Sequence, residues 1–178
     1  MSVTFIVPTI GRESLFKTLA SIETWPGDEI IMVSDGYRIH DPENRINFVD
    51  CPPGKDWGHT ERNFATPFAK GQYIAHIDDD DIYAPGTRQM MEEIISNHPG
   101  KPALFRMQFP NGITLWENKE IRCGNVGTPM FFIPNEPEKL GRWESFVGGD
   151  CRFLETSAWQ ADEYVWRPEI IALLGHNT

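Results

Sequence analysis

Gly71-Gln-Tyr-Ile-Ala-His-Ile-Asp-Asp-Asp-Asp-Ile-Tyr-Ala-Pro85 is the stretch from which the rest of the chain can be read. Gln72 to Ile77 is a short apolar, β-compatible run behind a glycine, the pattern of a buried strand. It runs directly into four carboxylates, Asp78 to Asp81, and then meets Pro85-Gly86, a signal for a turn or a helix start. Acids crowded on the tip of an apolar strand repel one another. Two unit charges ~4 Å apart cost roughly 4 kcal/mol at a surface-like dielectric and about 1 in bulk water. Either the side chains splay into solvent, or they hold a hard divalent cation, which prefers oxygen ligands of this kind. The flanking sequence separates the two readings.

Working outward, Val3 to Val7 is a second buried-strand run, ended by Pro8-Thr9 and punctuated by Gly11. Ser14 is placed to cap a helix carrying Leu15, Leu19 and Ile22. Glu29 to Val33 and Ile46 to Val49 are further strands, the first ending at Ser34-Asp35-Gly36. A helix from about His59 to Lys70 with Phe64 and Phe68 on one face precedes the acid-tipped strand. Another, Thr87 to Asn97, turns Met90, Met91, Ile94 and Ile95 inward. This order predicts an α/β fold with an open, mostly parallel sheet flanked by helices. The second half is less regular: a hairpin about Pro110-Asn111-Gly112, a strand from Met130 to Ile133, a helix from Asp150 to Ala161, and strands at Tyr164 to Trp166 and Ile170 to Leu174.

Composition narrows the function classes. With 178 residues, 40% hydrophobic and 24% charged, the chain is expected to be one domain with a single core. A formal charge of −10 argues against nucleic acid as the main partner. No apolar run approaches the ~20 residues of a membrane span, and the N-terminus has no signal-peptide pattern. Cys51, Cys123 and Cys151 lack metal spacing and are expected to be free thiols in a reducing cytoplasm.

Ligands of open parallel α/β sheets bind at the carboxyl ends of the strands. Pro8-Thr9, Ser34-Asp35-Gly36 and Asp78 to Asp81 all fall there. With these segments in this order, the chain resembles the family 2 glycosyltransferases, which have the Rossmann-like GT-A fold and use nucleotide-activated sugars. The resemblance rests on Val3 to Thr9, Asp28 to Gly36, Glu61-Arg-Asn63 and Gly71 to Pro85, and covers roughly the first 95 residues. It implies that residues 1–100 bind the nucleotide sugar and 101–178 form the acceptor side. It also implies that Pro8, Thr9 and Asp35 line the nucleotide pocket, Asp35 accepting a hydrogen bond from the base. Arg62 would reach the same pocket beside Asn63. Asp78 and Asp80 match the family's D-x-D pattern. In extended chain they point the same way while Asp79 and Asp81 face elsewhere, although assignment within the block is open by one position and Asp79 is also a donor-binding candidate.

The implied chemistry is transfer of a sugar from a UDP- or GDP-sugar to an acceptor hydroxyl. Mn²⁺ or Mg²⁺ on Asp80, with Asp78 as a second metal contact or as a contact to the donor's ribose, would neutralise the leaving diphosphate, and the late His176 is a further candidate ligand. An inverting reaction needs a general base, which the family usually takes from the Asp of a Glu-Asp pair. Asp150 is the candidate here, but Gly149 stands where the Glu is expected, so a role as helix cap is an alternative. The other histidines, His59 and His76, are weaker candidates, His76 reading as a satisfied core residue. Trp116, Trp143 and Trp159 could stack on sugars, Trp143 being the best placed, while the helical setting of Trp159 favours the core. The Gly-rich loop Gly124 to Pro129 lacks the context of a phosphate cradle. Two alternatives remain: a nucleotide-sugar-binding module without chemistry, and a sugar-phosphate nucleotidyltransferase, whose basic loop after the first strand is poorly matched by Gly11-Arg12.

Overall fold

The computed structural model describes residues 1–52, 54–145 and 147–175. Four strands build a parallel half-sheet: β1 (Val3–Pro8), β2 (Glu29–Ser34), β3 (Ile46–Asp50) and β4 (Tyr73–His76), in the order β3-β2-β1-β4. Alternation along these strands sorts the core. Phe5, Val7, Ile30 and Met32 face one side, while Ile6, Ile31, Val33 and Ile74 face the other with Cys51 and Ala65. Strands buried on both faces need cover on both faces. The first side packs against α1 (Leu15–Ser21) and α3 (Thr87–Asn97) through Leu15, Leu19, Met91 and Ile94. The second is covered by α2 (His59–Ala65).

The sheet continues past β4 into a mixed half. β5 (Ile82–Tyr83) follows the acids, and β6 (Ala103–Gln108) and β7 (Thr114–Leu115) form the expected hairpin. β8 (Phe131–Pro134) runs antiparallel to both β4 and β6. After α4 (Gly149–Thr156), β9 (Val165–Leu173) pairs parallel with β6 and antiparallel with β5. The open α/β sheet expected from the sequence is present, and the order β4-β8-β6-β9-β5 completes it.

Several local expectations are corrected. Ser14 occupies the cap position of α1 but makes no side-chain cap bond. α2 ends at Ala65, and Thr66–Phe68 tightens into a 3-10 turn around Pro67. Its apolar residues do not face the core. Phe64 and Phe68 are exposed, and the helix buries His59, Glu61, Arg62 and Ala65. α4 stops at Thr156, leaving Ala158 and Ala161 exposed. The two late strands are one, β9, kept continuous by register shifts opposite Leu104 to Met107. Cys51 alone is a free thiol, since Cys123 and Cys151, with Cα atoms 5.1 Å apart, are joined in a disulfide. Their 28-residue separation hid a contact made only when the loop before β8 folds onto α4. No helix is long and apolar enough to cross a membrane among the described residues.

Candidate active site

The parallel register brings the loops after β1 and β4 together. Thr9 N–H donates to Val33 O at 3.0 Å, and Ile77 N–H donates to Ile6 O at 3.1 Å, so the acids emerge beside Thr9. The four aspartates are not extended. Asp81 N–H donates to Asp78 O at 3.1 Å, closing a turn. Exposure nonetheless alternates as expected: Asp78 and Asp80 are partly open, Asp79 and Asp81 buried.

Each acid already has company. Both Asp79 oxygens are engaged: Thr9 Oγ1 (2.6 Å) and Ile10 N–H (3.2 Å) donate to Oδ2, and Arg12 Nη1 lies 2.6 Å from Oδ1. Arg12 reaches on to Asp80 Oδ2 at 3.0 Å. Asp79 therefore stiffens the cleft wall. Arg62, fully buried, pairs with Asp78. Burial raises the Asp78 carboxyl above its ordinary range, aided by Asp150, Asp80 and Asp79 and opposed by Arg62. Asp81 is pushed up to about 7, first by burial and then by the Asp78 charge. It accepts from Gly175 N–H at 2.9 Å, while its carbonyl accepts from Thr18 Oγ1 at 2.7 Å.

Between this turn, Pro8 to Arg12 and the segment Gly54 to Gly58 lies a cleft of about 520 Å³, a size common for small-molecule sites. Trp57 stands in its wall with 67% of its surface exposed and a backbone φ of 56°. A left-handed tryptophan is strained by roughly 1–3 kcal/mol, a cost usually met where a site needs the geometry. Arg62 Nη1 holds it there by donating to Trp57 O at 2.8 Å. Asp56 anchors the same segment by accepting from both the amide and the hydroxyl of Thr60. The sequence reading missed Arg12 and Trp57. Arg12 was legible as the first basic residue past β1, on the same sheet edge as the acids.

Other candidates are placed differently from expectation. Asp35 is exposed at the end of β2, outside the residues that line the cleft. Arg62 supports the acid turn from beneath and does not line the cleft. Asn63 pins the Trp143 backbone, donating to its carbonyl at 2.8 Å and accepting from its amide at 3.2 Å. None of the three tryptophans expected to stack on sugars is exposed. Trp116, Trp143 and Trp159 are 8%, 3% and 5% accessible, and Trp143 lies in a stack with Phe153, Phe131 and His59. Their bulk is better satisfied in the core than on the rim. His76 is a core residue, edge-on to Trp143, and burial holds it well below its ordinary value, so it is neutral. It is not satisfied, because its Nδ1 has no partner among the described residues. His176 lies outside the described residues.

Asp150 is the second residue of α4, whose cap is the left-handed Gly148. The cap role considered for Asp150 is therefore not taken. Its Oδ1 accepts from Thr128 Oγ1 at 3.0 Å, and His59 Nε2 stands 3.8 Å away. Burial raises the Asp150 carboxyl, but His59, Arg62 and Thr128 outweigh it and hold the group below the usual range. Asp150 is thus an anion at neutral pH, coupled through space to Asp78. The loop before β8 is fastened around buried Asn125, which accepts from Glu117 N–H and donates to Asn118 O and Glu120 O. Among the described residues, no three His, Cys, Asp or Glu side chains are grouped to hold a metal ion.

An acidic turn and a polar cleft at the carboxyl ends of the parallel strands place the candidate site where proteins of the open α/β class bind their ligands. The family model "Glycosyl transferase family 2" matches residues 4–160, and the chain belongs to that family. Solved structures show the same fold at low identity. S. aureus TarS 1-349 superposes with a TM-score of 0.75 at 16% identity, over 98% of this chain and 60% of that one. The same protein in complex with UDP-GlcNAc gives 0.74 at 15%, over 97% and 58%. The Pyrobaculum calidifontis mannosyltransferase PcManGT, in complex with GDP-Man and Mn²⁺, gives 0.65 at 13%, over 97% and 56%. The chain thus spans about 60% of the TarS 1-349 structure it matches. No curated protein sequence matches it.

Proposed function

We propose that this chain transfers a sugar from a nucleoside diphosphate sugar to an acceptor hydroxyl, with inversion, using a divalent cation at the acid turn and Asp150 as general base. The observation that carries the reading is the pairing of two partly open acids, Asp78 and Asp80, with an anionic Asp150 near enough for its charge to act on Asp78. Family membership and folds known with UDP-GlcNAc or GDP-Man and Mn²⁺ support a UDP- or GDP-sugar as donor.

Two carboxylates suit an ion such as Mg²⁺ or Mn²⁺, which keeps several waters and takes its other ligands from phosphate oxygens. Asp80 and Asp78 would hold it, with Arg12 releasing Asp80, and when bound it neutralises charge on the leaving diphosphate. The chain's own residues do the rest. Thr9 and Asp79 fix the wall, Trp57 offers a flat face for the base or the sugar, and Asp150 takes the acceptor's proton. Residues 1–100 supply the donor side and 101–178 the acceptor side.

Calorimetric titration with UDP-GlcNAc, GDP-Man and related donors, with and without Mn²⁺, tests the reading beside release of free nucleotide. One donor should bind more tightly with Mn²⁺ and turn over. Asp80→Ala should weaken that Mn²⁺-dependent binding by about 10- to 100-fold, the loss of one charged ligand, with an unchanged melting profile. Mn²⁺-independent binding would remove the metal from the account, and tight binding without turnover would favour the module without chemistry.

A further inference from the structure

Gly149 marks the main departure from the Glu-Asp pair, and the structure shows what fills the place. A Cβ built on Gly149 would overlap His59 Cε1 and fall 2.6 Å from Glu144 O. The imidazole, 4% exposed, lies flat on Trp143 at 5.7 Å between ring centroids and points Nε2 toward Asp150 Oδ1 at 3.8 Å. Its Nδ1 is buried without a hydrogen-bond partner among the described residues. A buried imidazole with one orphaned nitrogen costs stability unless the ring serves something else.

We propose that His59 is the positioning residue of Asp150, doing from α2 what a side chain at position 149 cannot do from α4. With Thr128, it gathers Oδ1 from two sides, whereas Oδ2 has no hydrogen-bond partner among the described residues and is the atom left for an acceptor hydroxyl. A separation of 3.8 Å is longer than a hydrogen bond, but such contacts often tighten only when substrate is bound. The proposal rests on Asp150 being the base, and it explains why Gly149 is required beside it. The charged groups facing the pair are Asp56 and Arg62 from α2 and its lead-in, and Asp78 from the acid turn.

Ring ¹⁵N–¹H spectra of the full chain at pH 7 give a readout that needs no substrate, with the His59 signals assigned by their loss in His59→Gln. In Asp150→Asn the His59 ring signals should move at fixed neutral pH, because Nε2 loses the carboxylate it points toward, with those of the other histidines little changed. His59 ring signals identical in both proteins overturn the proposal. The turnover arm uses whichever of UDP-GlcNAc and GDP-Man is cleaved. His59→Phe should lower kcat on the order of tenfold at unchanged donor KM, as when an orienting partner is lost, and His59→Gln, which keeps a donor, should recover part of it. Unchanged kcat in both His59 variants, with Asp150→Asn inactive, sinks the role of His59 alone. Full activity of Asp150→Asn sinks Asp150 as base, a different failure.

Discussion

Asp150→Asn should reduce kcat for sugar transfer by about 10²- to 10⁴-fold, the usual contribution of a general base. Donor affinity should change little, because Asp150 lies apart from the residues that line the cleft. The substitution is nearly isosteric and keeps an acceptor for Thr128 Oγ1, so a fall in rate reports lost basicity rather than lost structure. The sign of the pH effect is fixed by the depressed carboxyl. The base stays ionised as pH falls through the ordinary carboxylate range, so the acid limb of the rate profile lies below that range. A depressed acid also stabilises the fold above its unfolded pKa and loses that contribution as pH falls through the folded one. The variant should accordingly be somewhat less stable than the wild type at neutral pH, with the gap closing toward strong acid. Denaturant melts at pH 7 and pH 3, beside single-turnover rates, check both halves. Wild-type turnover by Asp150→Asn would remove the base from the mechanism.

Arg62→Met should destabilise the protein by about 3–5 kcal/mol, the range for removing one partner of a buried ion pair. Arg62 is fully buried over the Trp143 ring, 4.7 Å from its centroid, and its guanidinium serves both Asp78 and the Trp57 carbonyl. Without it, a carboxylate already raised by burial loses its cation, and the strained segment at Trp57 loses its tether. The cost belongs mainly to the stranded charge. Arg62→Met with Asp78→Asn should thus recover much of the loss, and a double-mutant cycle by urea denaturation measures the coupling. If the double variant is as unstable as the sum of the singles, the pair is not what holds the turn.

The strands were legible because their signal is strong and local. Val3 to Val7, Glu29 to Val33 and Gln72 to Ile77 are apolar runs bounded by turn residues, and strands β1, β2 and β4 lie within a residue or two of them. α2 was misread because hydrophobic pattern was taken as the guide to its buried face. The helix buries His59 and Arg62, three residues apart on one face, where charge and stacking partners await them, and leaves Phe64 and Phe68 outside. A helix that inverts the usual rule serves a site more than a core. The acids were found by composition, but their arginine partners were not. Arg12 approaches from the loop after β1 and Arg62 from α2, 67 and 16 residues away, and no spacing rule reports such pairing. Trp57 was missed for a related reason, since a left-handed backbone at a non-glycine residue leaves no mark in the sequence. The stacking role passed by default to tryptophans that the core had claimed.

The hydrogen bond from Gly175 to Asp81 ties the last described residue to the turn that carries the acids. The end of β9 is therefore fastened to the working edge, so a substitution there can disturb the acids without touching the strand that feeds them.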